Sequence, residues 1–514
     1  MTETGIHSTQ PFNATVDLVD GALDKGWGNR PLFLFGDHSI TYAQFAARVN
    51  QCANAMVALG VAPGQRVALV LPDSPLSAAL FFGIVKMGGV ALPLTPMLPV
   101  EEYRYLLENS EATTLIGAAP MATPALQAAS EFGRLRTVIA DTVEGRFPKL
   151  HQLLADKPGT FTCAGTLACD QAYWNYTSGS TGRPKGVIKS HWALAHKGDF
   201  AYCELQLNPE DRVFSLAKLF VDYGVHNITA TIRHGISQLL DPQRPTAARV
   251  AQLVKQHRPT IFMGIPTVLS QLLALPHDHV DFTSVRHCKV GAEPLPAALF
   301  QRFKERFDIE PLEIMGTSET GGELIKTRPG KVRPGALGQP NEGRTLKLVD
   351  ENLAEVPTGT SGRLMVNDPA SASGYWKLPE ETARVFRGDW VLTGDLFVRD
   401  EDDFFWFKGR NDDLIDVGGR KVVPLDVEAA LRQHPAVADC GVIGHKDSAG
   451  LTKPKAFVVL HASHKPAPEL ADELKAFVKS TIAPYNYPRW IEFVGELPRT
   501  SLGKLERHKL QGKI

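Results

Sequence analysis

The sequence has little cysteine, no long apolar run and no excess of charge of either sign. Its six cysteines among 514 residues are scattered and form no C-x-x-C pair, which argues against a disulfide framework. The first residues do not resemble a secretory leader, so we expect reduced thiols and a cytoplasmic protein. The most apolar stretch, residues 77–94, contains Lys86 and Gly88-Gly89, and it is too short and too interrupted to span a bilayer.

The charge balance is nearly even, with 55 Lys and Arg against 56 Asp and Glu. No overall field therefore favours nucleic acid or an anionic membrane as a partner, and any anionic ligand must be held by a local site. With 43% hydrophobic and 22% charged residues, the composition is that of a globular protein rather than a disordered one. A chain of 514 residues exceeds the usual size of one domain, so two or three domains are expected.

Apolar runs and helical patterns alternate through most of the chain. Thr41 and Gln44 form a predicted capping box at the start of an amphipathic helix. Apolar runs at 66–71 and 90–94 flank a second helical pattern, which is typical of a β-α-β unit with a parallel sheet. From about Leu337 the pattern changes to short extended runs around turns, which predicts antiparallel hairpins.

The tail of the sequence predicts a separate small domain. After a short polar segment that follows Gly409 and Arg410, two predicted strands and a helix form a compact α+β pattern. The predicted fold class is therefore α/β, with a large body of α/β subdomains plus a β-rich subdomain over residues 1–409. A small, mobile α+β domain is expected over residues 410–514.

Glycines and small hydroxylated residues dominate residues 176–186, which read YTSGSTGRPKG. Glycine lets successive backbone N–H groups turn toward one point, hydroxyls add donors and Lys185 adds a cation, a combination that suits a polyphosphate. The GxxxxGK[ST] spacing is absent, which disfavours a P-loop kinase or NTPase. A flexible Ser/Gly/Thr loop is the alternative that composition alone leaves open.

This segment resembles the phosphate-binding signature of the adenylate-forming superfamily, which comprises acyl- and aryl-CoA synthetases, luciferases and the adenylation domains of peptide synthetases. Further matches follow in the order of that family along nearly the whole chain: Gly291-Ala292-Glu293-Pro294, Gly316-Thr317-Ser318-Glu319, Thr393-Gly394-Asp395, Gly409-Arg410 with Asp412-Asp413, Gly418-Gly419, and Pro498-Arg499-Thr500-Ser501-Leu502-Gly503-Lys504. One such match carries little weight, whereas six in order are a strong signal.

Within the superfamily, several segments look most like benzoate–CoA ligases: Phe12-Asn13-Ala14-Thr15 with Asp17-Leu18, Arg48-Val49-Asn50 with Cys52-Ala53-Asn54-Ala55, and Lys218-Leu219-Phe220 before Tyr223-Gly224. The resemblance implies an ATP-dependent aryl-acid–CoA ligase that uses Mg²⁺. A benzoate-type carboxylate would attack the α-phosphate of ATP, and the CoA thiol would then displace AMP from the acyl-adenylate. The first step is needed because a carboxylate is a poor electrophile with a very poor leaving group.

The resemblance also implies an ATP site built from several motifs. The β- and γ-phosphates would be held by Thr177, Ser178, Ser180, Thr181 and Lys185, and the adenine side would be lined by Gly291, Ala292 and Glu293. The ATP site would also include Gly179, Gly182, Met315, Gly316, Thr317 and Ser318. The position of Met315 is usually aromatic in the family, so the contact with the base is altered here; a thioether can still cover a base face.

Two residues are implied as catalytic. Lys504 would bridge the substrate carboxylate and the α-phosphate, although a lone lysine near a chain end is ordinarily just exposed. Glu319 would be the partner of the Mg²⁺ that accompanies ATP, since hard cations take oxygen ligands. The alternative for Glu319 is a residue that caps a turn or helix.

Near the start of the tail, the resemblance implies ribose, hinge and CoA contacts. Asp395 would accept both ribose hydroxyls with help from Arg410, although it could also be a turn residue. Asp412 is either a solvated linker charge or the hinge about which the small domain swings between the two half-reactions. Gly418 and Gly419 would let backbone lie against the pantetheine arm, and Arg420 and Lys421 are candidates for CoA phosphates.

The acyl pocket is implied at Phe220, Val221, Asp222, Tyr223 and His226. Tyr223 would contact the aromatic ring, although Phe220, Val221 and Tyr223 could equally be core residues and His226 a structural histidine. Plain benzoate ligases carry a small apolar residue at the position of Asp222. A buried carboxylate is costly unless it meets a donor, so Asp222 either points to solvent or binds an amino or hydroxyl group on the ring, with anthranilate or another aminobenzoate ahead of hydroxybenzoate.

Other functions remain open at this point. The enzyme could load the aryl group onto the thiol of a carrier protein instead of CoA, although the chain has no visible carrier domain. A luciferase-like oxygenase shares the implied fold, but nothing in the sequence favours it. A nucleotide-binding sensor would have no need of Lys504 and its loop.

Overall fold

The structure is a computed structural model of the chain, and it describes residues 9–96, 98–139, 149–178, 183–417, 420–447, 450–483, 486–499 and 505–511. The chain divides into two compact units, one of Met1–Thr345 with Val366–Leu392 and one of Leu346–Met365 with Thr393–Ile514. The domain boundary that we expected after residue 409 stays a prediction. No helix among the described residues is long and apolar enough to cross a membrane.

The first unit alternates strands and helices, as the sequence predicts. The strands up to residue 340 are β1 (Pro31–Phe35), β2 (His38–Thr41), β3 (Arg66–Val70), β4 (Val90–Pro93), β5 (Thr114–Gly117), β6 (Arg136–Ile139), β7 (Gln171–Ser178), β8 (Pro184–Ser190), β9 (Arg212–Ser215), β10 (Ser237–Leu239), β11 (Ile261–Gly264), β12 (His287–Val290), β13 (Pro311–Met315), β14 (Ile325–Lys326) and β15 (Gln339–Pro340). The helices are α1 (Gly21–Asp24), α2 (Tyr42–Ala58), α3 (Pro75–Lys86), α4 (Val100–Ser110), α5 (Thr123–Ala129), α6 (Leu150–Leu154), α7 (His191–His196), α8 (Asp222–His234), α9 (Ala247–His257), α10 (Pro266–Ala274) and α11 (Ala297–Phe307).

The remaining elements are mostly strands. They are β16 (Thr345–Val349), β17 (Ser361–Asn367), β18 (Gly374–Tyr375), α12 (Pro379–Val385), β19 (Phe386–Arg387), β20 (Trp390–Arg399), β21 (Phe405–Arg410), β22 (Ile415–Val417), β23 (Arg420–Val422), α13 (Pro424–Leu431), β24 (Val437–Lys446), β25 (Thr452–Leu460), α14 (Pro468–Thr481), β26 (Trp490–Phe493) and α15 (Arg507–Gln511). The predicted α/β class with antiparallel strands after residue 337 is confirmed.

Two local sequence signals are confirmed in detail. Thr41 accepts a hydrogen bond from the Gln44 amide while the Gln44 side chain accepts one from the Thr41 amide, so the capping box that starts α2 is complete. β3 and β4 pair in parallel from Arg66 with Val90 onward, on either side of α3. A parallel pair requires such a crossover because the chain must return to the same end of the sheet.

The described residues form two large sheets in the first unit. One has the strand order β15-β14-β13-β12-β11-β9-β10-β1-β2, and β9 to β13 pair in parallel within it. The other has the order β18-β8-β7-β4-β3-β5-β6, in which β7 and β8 form an antiparallel hairpin. The carboxyl ends of parallel strands meet at one edge of a sheet, where α/β proteins commonly bind ligands.

The other sheets are smaller. One has the order β16-β17-β20-β19, with β21 also paired to β20; β22 pairs with β23, and β24, β25 and β26 form a sheet in that order. The core of the tail joins the last of these sheets to α13 and α14 through Val427, Leu431, Val458, Leu474 and Val478. This matches the expected α+β pattern of the tail.

Candidate active site

The predicted phosphate segment connects two paired strands. β7 ends at Ser178 and β8 begins at Pro184, and Thr177 lies opposite Lys185 in the register of the pair. Gly179, Ser180, Thr181 and Gly182 lie outside the described residues, as does the side chain of Ser178. Side chains of directly paired residues lie on the same face of a sheet, so Thr177 and Lys185 share one face at the base of the loop.

Lys185 forms an ion pair with Glu381 of α12, a partner that the sequence did not reveal. Its ammonium also lies 5.6 Å from the centre of the Tyr375 ring. The hydrogen bond from Lys185 holds the pKa of Glu381 below its ordinary value. The cation predicted for the phosphates is therefore paired with a carboxylate in this structure.

Glu319 lies in a loop over residues 316–322 that follows β13. The Tyr375 hydroxyl donates to Glu319 Oε1 at 2.9 Å, and the Glu319 carbonyl accepts from the Ala372 amide at 2.9 Å. Tyr375 pairs with Val187 of β8, which places it on the sheet that carries the phosphate segment. The carboxylate is half-buried, so an oxygen ligand is available beside the hairpin.

Buried charged side chains hold the same loop in place. Lys189 donates to the Thr320 carbonyl at 2.6 Å, and Asp368 accepts from the Gly321 amide and from Arg344, both at 3.0 Å. These three side chains are almost fully buried. No local sequence pattern indicates these contacts, because they join positions far apart along the chain.

The residues predicted for the adenine side lie at the carboxyl edge of the nine-stranded sheet. Gly291, Ala292 and Glu293 follow β12, and Met315 ends β13. β12 and β13 are parallel neighbours, so both segments meet at the same edge as residues 316–318. A Cβ on Gly291 would approach the Ile314 side chain to 3.0 Å, which explains the small residue there.

Asp222 begins α8, which follows β9 at the same edge. Its Oδ1 accepts from Lys197 Nζ at 2.7 Å and from the Tyr173 hydroxyl at 2.9 Å, and Lys197 also donates to that hydroxyl at 2.6 Å. Burial favours the neutral acid, but Lys197, with Lys189, holds the pKa of Asp222 below its ordinary value. The alternative in which Asp222 points to solvent is wrong, since the residue is 9% exposed, and the donors from the chain itself were not predicted.

Glycines bring the loop and α8 into contact. Gly322 has a φ of +79°, and a Cβ there would lie 2.6 Å from His226 Nδ1. A Cβ on Gly224 would lie 1.9 Å from the Lys218 carbonyl oxygen. Only residues without a side chain fit these positions. The close approach of Gly322 to His226 places the first turns of α8 against the segment that carries Glu319.

His226 and Tyr223 lie next to a buried ionic network that the sequence analysis missed. Their rings stack with centres 6.0 Å apart, and His226 Nε2 is 3.5 Å from Glu323 Oε1. Glu323 pairs with Lys289 at 2.8 Å, and Glu204 pairs with both Lys289 and Lys326. Burial lowers the pKa of His226, so its ring is neutral near neutral pH. Phe220 and Val221, the other predicted pocket residues, are half-buried just before α8.

In the second unit, Asp395 of β20 lies opposite Arg410 of β21, and their side chains are 3.5 Å apart. Asp412 is exposed in a short 3₁₀ helix, Asn411–Asp413. Arg420 and Lys421 are exposed at the start of β23. Gly418, Gly419 and Lys504 lie outside the described residues, so their predicted roles stay predictions.

Comparison with known proteins decides the family. The model of the AMP-binding enzyme family matches residues 23–376, and the model of the AMP-binding enzyme C-terminal domain matches residues 426–504. The chain belongs to the AMP-binding enzyme family. The predicted membership of the adenylate-forming superfamily is thereby confirmed.

Individual relatives agree with this family. The chain is 36% identical to a benzoate–CoA ligase of Thauera aromatica, over 99% of this chain and 98% of that protein. It is also 36% identical to a 4-hydroxybenzoate–CoA/benzoate–CoA ligase of Rhodopseudomonas palustris, over 97% and 94%. The crystal structure of the anthranilate CoA ligase AuaEII in complex with anthranoyl-AMP superposes with a TM-score of 0.90 at 34% identity, over 98% and 97%. The predicted proximity to benzoate–CoA ligases is confirmed.

Proposed function

We propose that the chain is an ATP-dependent aryl-acid–CoA ligase, which activates a benzoate-type carboxylate as acyl-AMP and transfers the acyl group to CoA. The observation that carries this proposal is the loop over residues 316–322. It joins Glu319, beside the phosphate hairpin, to the first turns of α8, where the acyl pocket is predicted. One short segment thus connects the ATP side to the acid side. The benzoate–CoA ligase of Thauera aromatica, similar over nearly its whole length, supports the same reaction class.

In the first half-reaction, the chain must bring two anions together and neutralise the charge that moves to pyrophosphate. Residues 177–182 and Lys185 would hold the β- and γ-phosphates. Because Lys185 is paired with Glu381, phosphate binding would exchange one anionic partner for another. The ammonium therefore stays paired throughout, which limits the cost of moving it. Lys504 would bridge the carboxylate and the α-phosphate.

The Glu319 carboxylate fits a magnesium ion that enters with ATP. It is half-buried and receives a hydrogen bond on Oε1 from Tyr375, and carboxylate oxygens are ligands that Mg²⁺ prefers. Among the described residues, no three His, Cys, Asp or Glu side chains converge as a protein-only metal site would require. When bound, the ion would neutralise charge on the phosphates, while Glu319 orients it and Tyr375 orients Glu319.

The residues of the second unit would serve the ribose and the second half-reaction. Asp395 and Arg410, which are already paired, would bind the ribose hydroxyls. Asp412 would act as the hinge, and residues 418–421 would contact CoA. An Asp412→Pro variant fixes φ at this position, so it should still form acyl-AMP but release little acyl-CoA, and unimpaired overall turnover would refute the hinge.

For the acid, we propose a benzoate with an amino or hydroxyl group on the ring, with anthranilate or another aminobenzoate ahead of hydroxybenzoate. The ring nitrogens of His226, which are buried and have no hydrogen-bond partner among the described residues, support a substituted ring over a plain one. A purely apolar ring would leave such groups without partners, which is costly. The similarity to the anthranilate CoA ligase AuaEII favours the same substituent.

The test is product analysis with purified enzyme, MgATP, free CoA and single aromatic acids. The proposal expects an aryl-CoA thioester and AMP in equal amounts, with pyrophosphate released. Formation of ADP, or acyl-AMP that accumulates without any thioester, would contradict it. A parallel reaction without CoA serves as the control, since only acyl-AMP and pyrophosphate should then form.

A further inference from the structure

Four side chains on α8 and in the segment after Glu319 carry buried polar atoms that make no hydrogen bond of ordinary geometry to a described residue. They are the Tyr223 hydroxyl, both ring nitrogens of His226, Asn227 Oδ1 and Glu323 Oε1. We refer to Tyr223, His226, Asn227 and Glu323 as the unpaired cluster. Buried polar atoms in folded proteins almost always have a partner, so four such groups in one place call for an explanation.

The members of the unpaired cluster are neighbours. His226 Nε2 lies 3.5 Å from Glu323 Oε1, and the His226 and Tyr223 rings stack at 6.0 Å. Asn227 Nδ2 donates to the Ser215 hydroxyl at 2.6 Å, which leaves Asn227 Oδ1 for another donor. His226, Asn227 and Glu323 are at most 2% exposed. The unpaired atoms therefore face one another rather than bulk water.

The position of the unpaired cluster links it to the acid side of the site. Tyr223 and His226 are two of the five predicted pocket residues, and Glu323 follows Glu319 by only four positions. Four residues span at most about 14 Å, and the close approach of Gly322 to His226 draws the two segments together. A group bound here is thus within the reach of an aromatic acid whose carboxylate is near the ATP side.

Asp222 and Glu323 differ in the hydrogen-bond partners of their carboxylate oxygens. Its Oδ1 already receives donors from Lys197 and Tyr173, and all hydrogen bonds to this carboxylate fall on that one atom. Glu323 uses Oε2 for Lys289 at 2.8 Å and leaves Oε1 directed at the His226 ring. Of the two carboxylates near α8, Glu323 is the one with a buried acceptor atom whose contact with His226 Nε2, at 3.5 Å, is too long for an ordinary hydrogen bond.

The charges around the unpaired cluster are balanced. Glu323 and Glu204 are matched by Lys289 and Lys326, all four almost fully buried. An added cation or anion would be left without a counter-charge in a buried place, which is costly. A neutral donor would form hydrogen bonds with the unpaired acceptor atoms without changing the net charge of the cluster.

We propose that Glu323, with His226 and Asn227, is the specificity-determining part of the acyl pocket and binds a neutral hydrogen-bond donor, an amino or hydroxyl group, on the aromatic ring. The inference rests on the proposed function, and it names residues that the sequence did not assign to the pocket. A site built to bind such a donor discriminates strongly against an analogue without it. Glu323 therefore selects substituted benzoates, while Asp222 and Lys197 form an internal pair.

The test compares kcat/KM for acid-dependent ATP–pyrophosphate exchange with benzoate, the aminobenzoates and the hydroxybenzoates. In the wild type, the best substituted acid should exceed benzoate by about 100-fold or more, and charged analogues such as phthalates and aminomethylbenzoates should support no exchange. The double variant Glu323→Leu/Lys289→Met removes the acceptor without leaving a net charge. It should bring the ratio of the two kcat/KM values to within about threefold of one.

A matched control removes another acid–lysine pair. The exposed Lys304–Glu310 pair can be replaced by Lys304→Met/Glu310→Leu, which should leave the ratio unchanged. If the buried double variant does not fold, Glu323→Gln is nearly isosteric, and loss of the charged acceptor should lower the ratio at least about tenfold. A ratio unchanged by Glu323→Gln, or a wild type that prefers benzoate, overturns the inference. If no aromatic acid supports exchange in the wild type, the proposed function itself fails.

Discussion

Lys197 Nζ lies 2.7 Å from Asp222 Oδ1, with both side chains buried at the start of α8. The Tyr173 hydroxyl completes a closed arrangement, since it receives a hydrogen bond from Lys197 and donates to Asp222. A buried ion pair of this kind gains little over an apolar pair, but removal of one partner leaves an uncompensated charge. The stability of the first unit should therefore depend on whether the pair is broken or replaced.

Lys197→Met should reduce the free energy of unfolding by about 3–5 kcal/mol, since it leaves Asp222 buried and unpaired. The double variant Lys197→Met/Asp222→Leu should recover most of that loss. Urea unfolding followed by circular dichroism measures both. Lys304→Met, in an exposed pair, is the control and should cost no more than about 1 kcal/mol. A double variant as unstable as the single one would contradict the account.

Glu319→Gln should lower kcat/KM for ATP–pyrophosphate exchange by roughly 100-fold, the scale for losing one group that stabilises developing charge. The defect should shrink as Mg²⁺ is raised, because the variant retains an oxygen but loses the charge that attracts the ion. Tyr375→Phe removes the hydrogen bond to Glu319 but keeps the carboxylate, and it should have a much smaller effect. If the loss of activity in Glu319→Gln does not depend on the Mg²⁺ concentration, Glu319 does not bind the metal.

Lys504→Ala should abolish formation of acyl-AMP while sparing thioester formation from supplied acyl-AMP and CoA. The reason is that the lysine is proposed to bridge the carboxylate and the α-phosphate, a contact needed only in the first half-reaction. The two half-reactions are assayed separately by pyrophosphate release and by thioester formation. Equal loss of both would end this assignment.

The buried carboxyl of Glu313, on β13, should make the free energy of unfolding depend on pH. Burial raises the pKa of its carboxyl from 4.5 to about 8, although the Leu295 amide donates to it at 2.9 Å. Between these values the folded chain holds a proton that the unfolded chain releases, so the stability due to this group falls as pH rises from about 4.5 to 8.

Glu313→Gln has no such titration. Its free energy of unfolding, relative to the wild type, should therefore increase between pH 5 and pH 8 and then stay level. Urea midpoints at pH 5, 6.5, 8 and 9 provide the measurement. If the free energies of unfolding of the two proteins change in parallel across this pH range, the Glu313 carboxyl is ionised in the folded state throughout.

The sequence allowed prediction of those features of the fold that depend on residues close together in the chain. The capping box at Thr41 and Gln44 and the β-α-β unit at residues 66–94 are set by neighbouring residues, and both are confirmed. The order of the family motifs gave the superfamily, which the match to residues 23–376 confirms.

The charged partners of the site were not accessible in this way. Lys197 and Asp222 are 25 positions apart in the sequence. The separation is 196 positions for Lys185 and Glu381 and 34 for Lys289 and Glu323. No local pattern marks such pairs, because they form only when strands and loops are brought together. Buried lysines are also rare, so sequence reasoning assigns them to the surface. One carboxylate, Asp222, was identified as unusual, but its partner had to come from the fold.

The proposed adenylation of an aromatic acid can be measured as acid-dependent exchange of labelled pyrophosphate into ATP. The wild type, with MgATP and without CoA, is assayed against a panel of aromatic and aliphatic carboxylic acids. We expect exchange with benzoate-type acids, strongest for an amino- or hydroxy-substituted ring, and little exchange with aliphatic acids. Exchange driven by aliphatic acids alone, or no exchange with any aromatic acid, would contradict it.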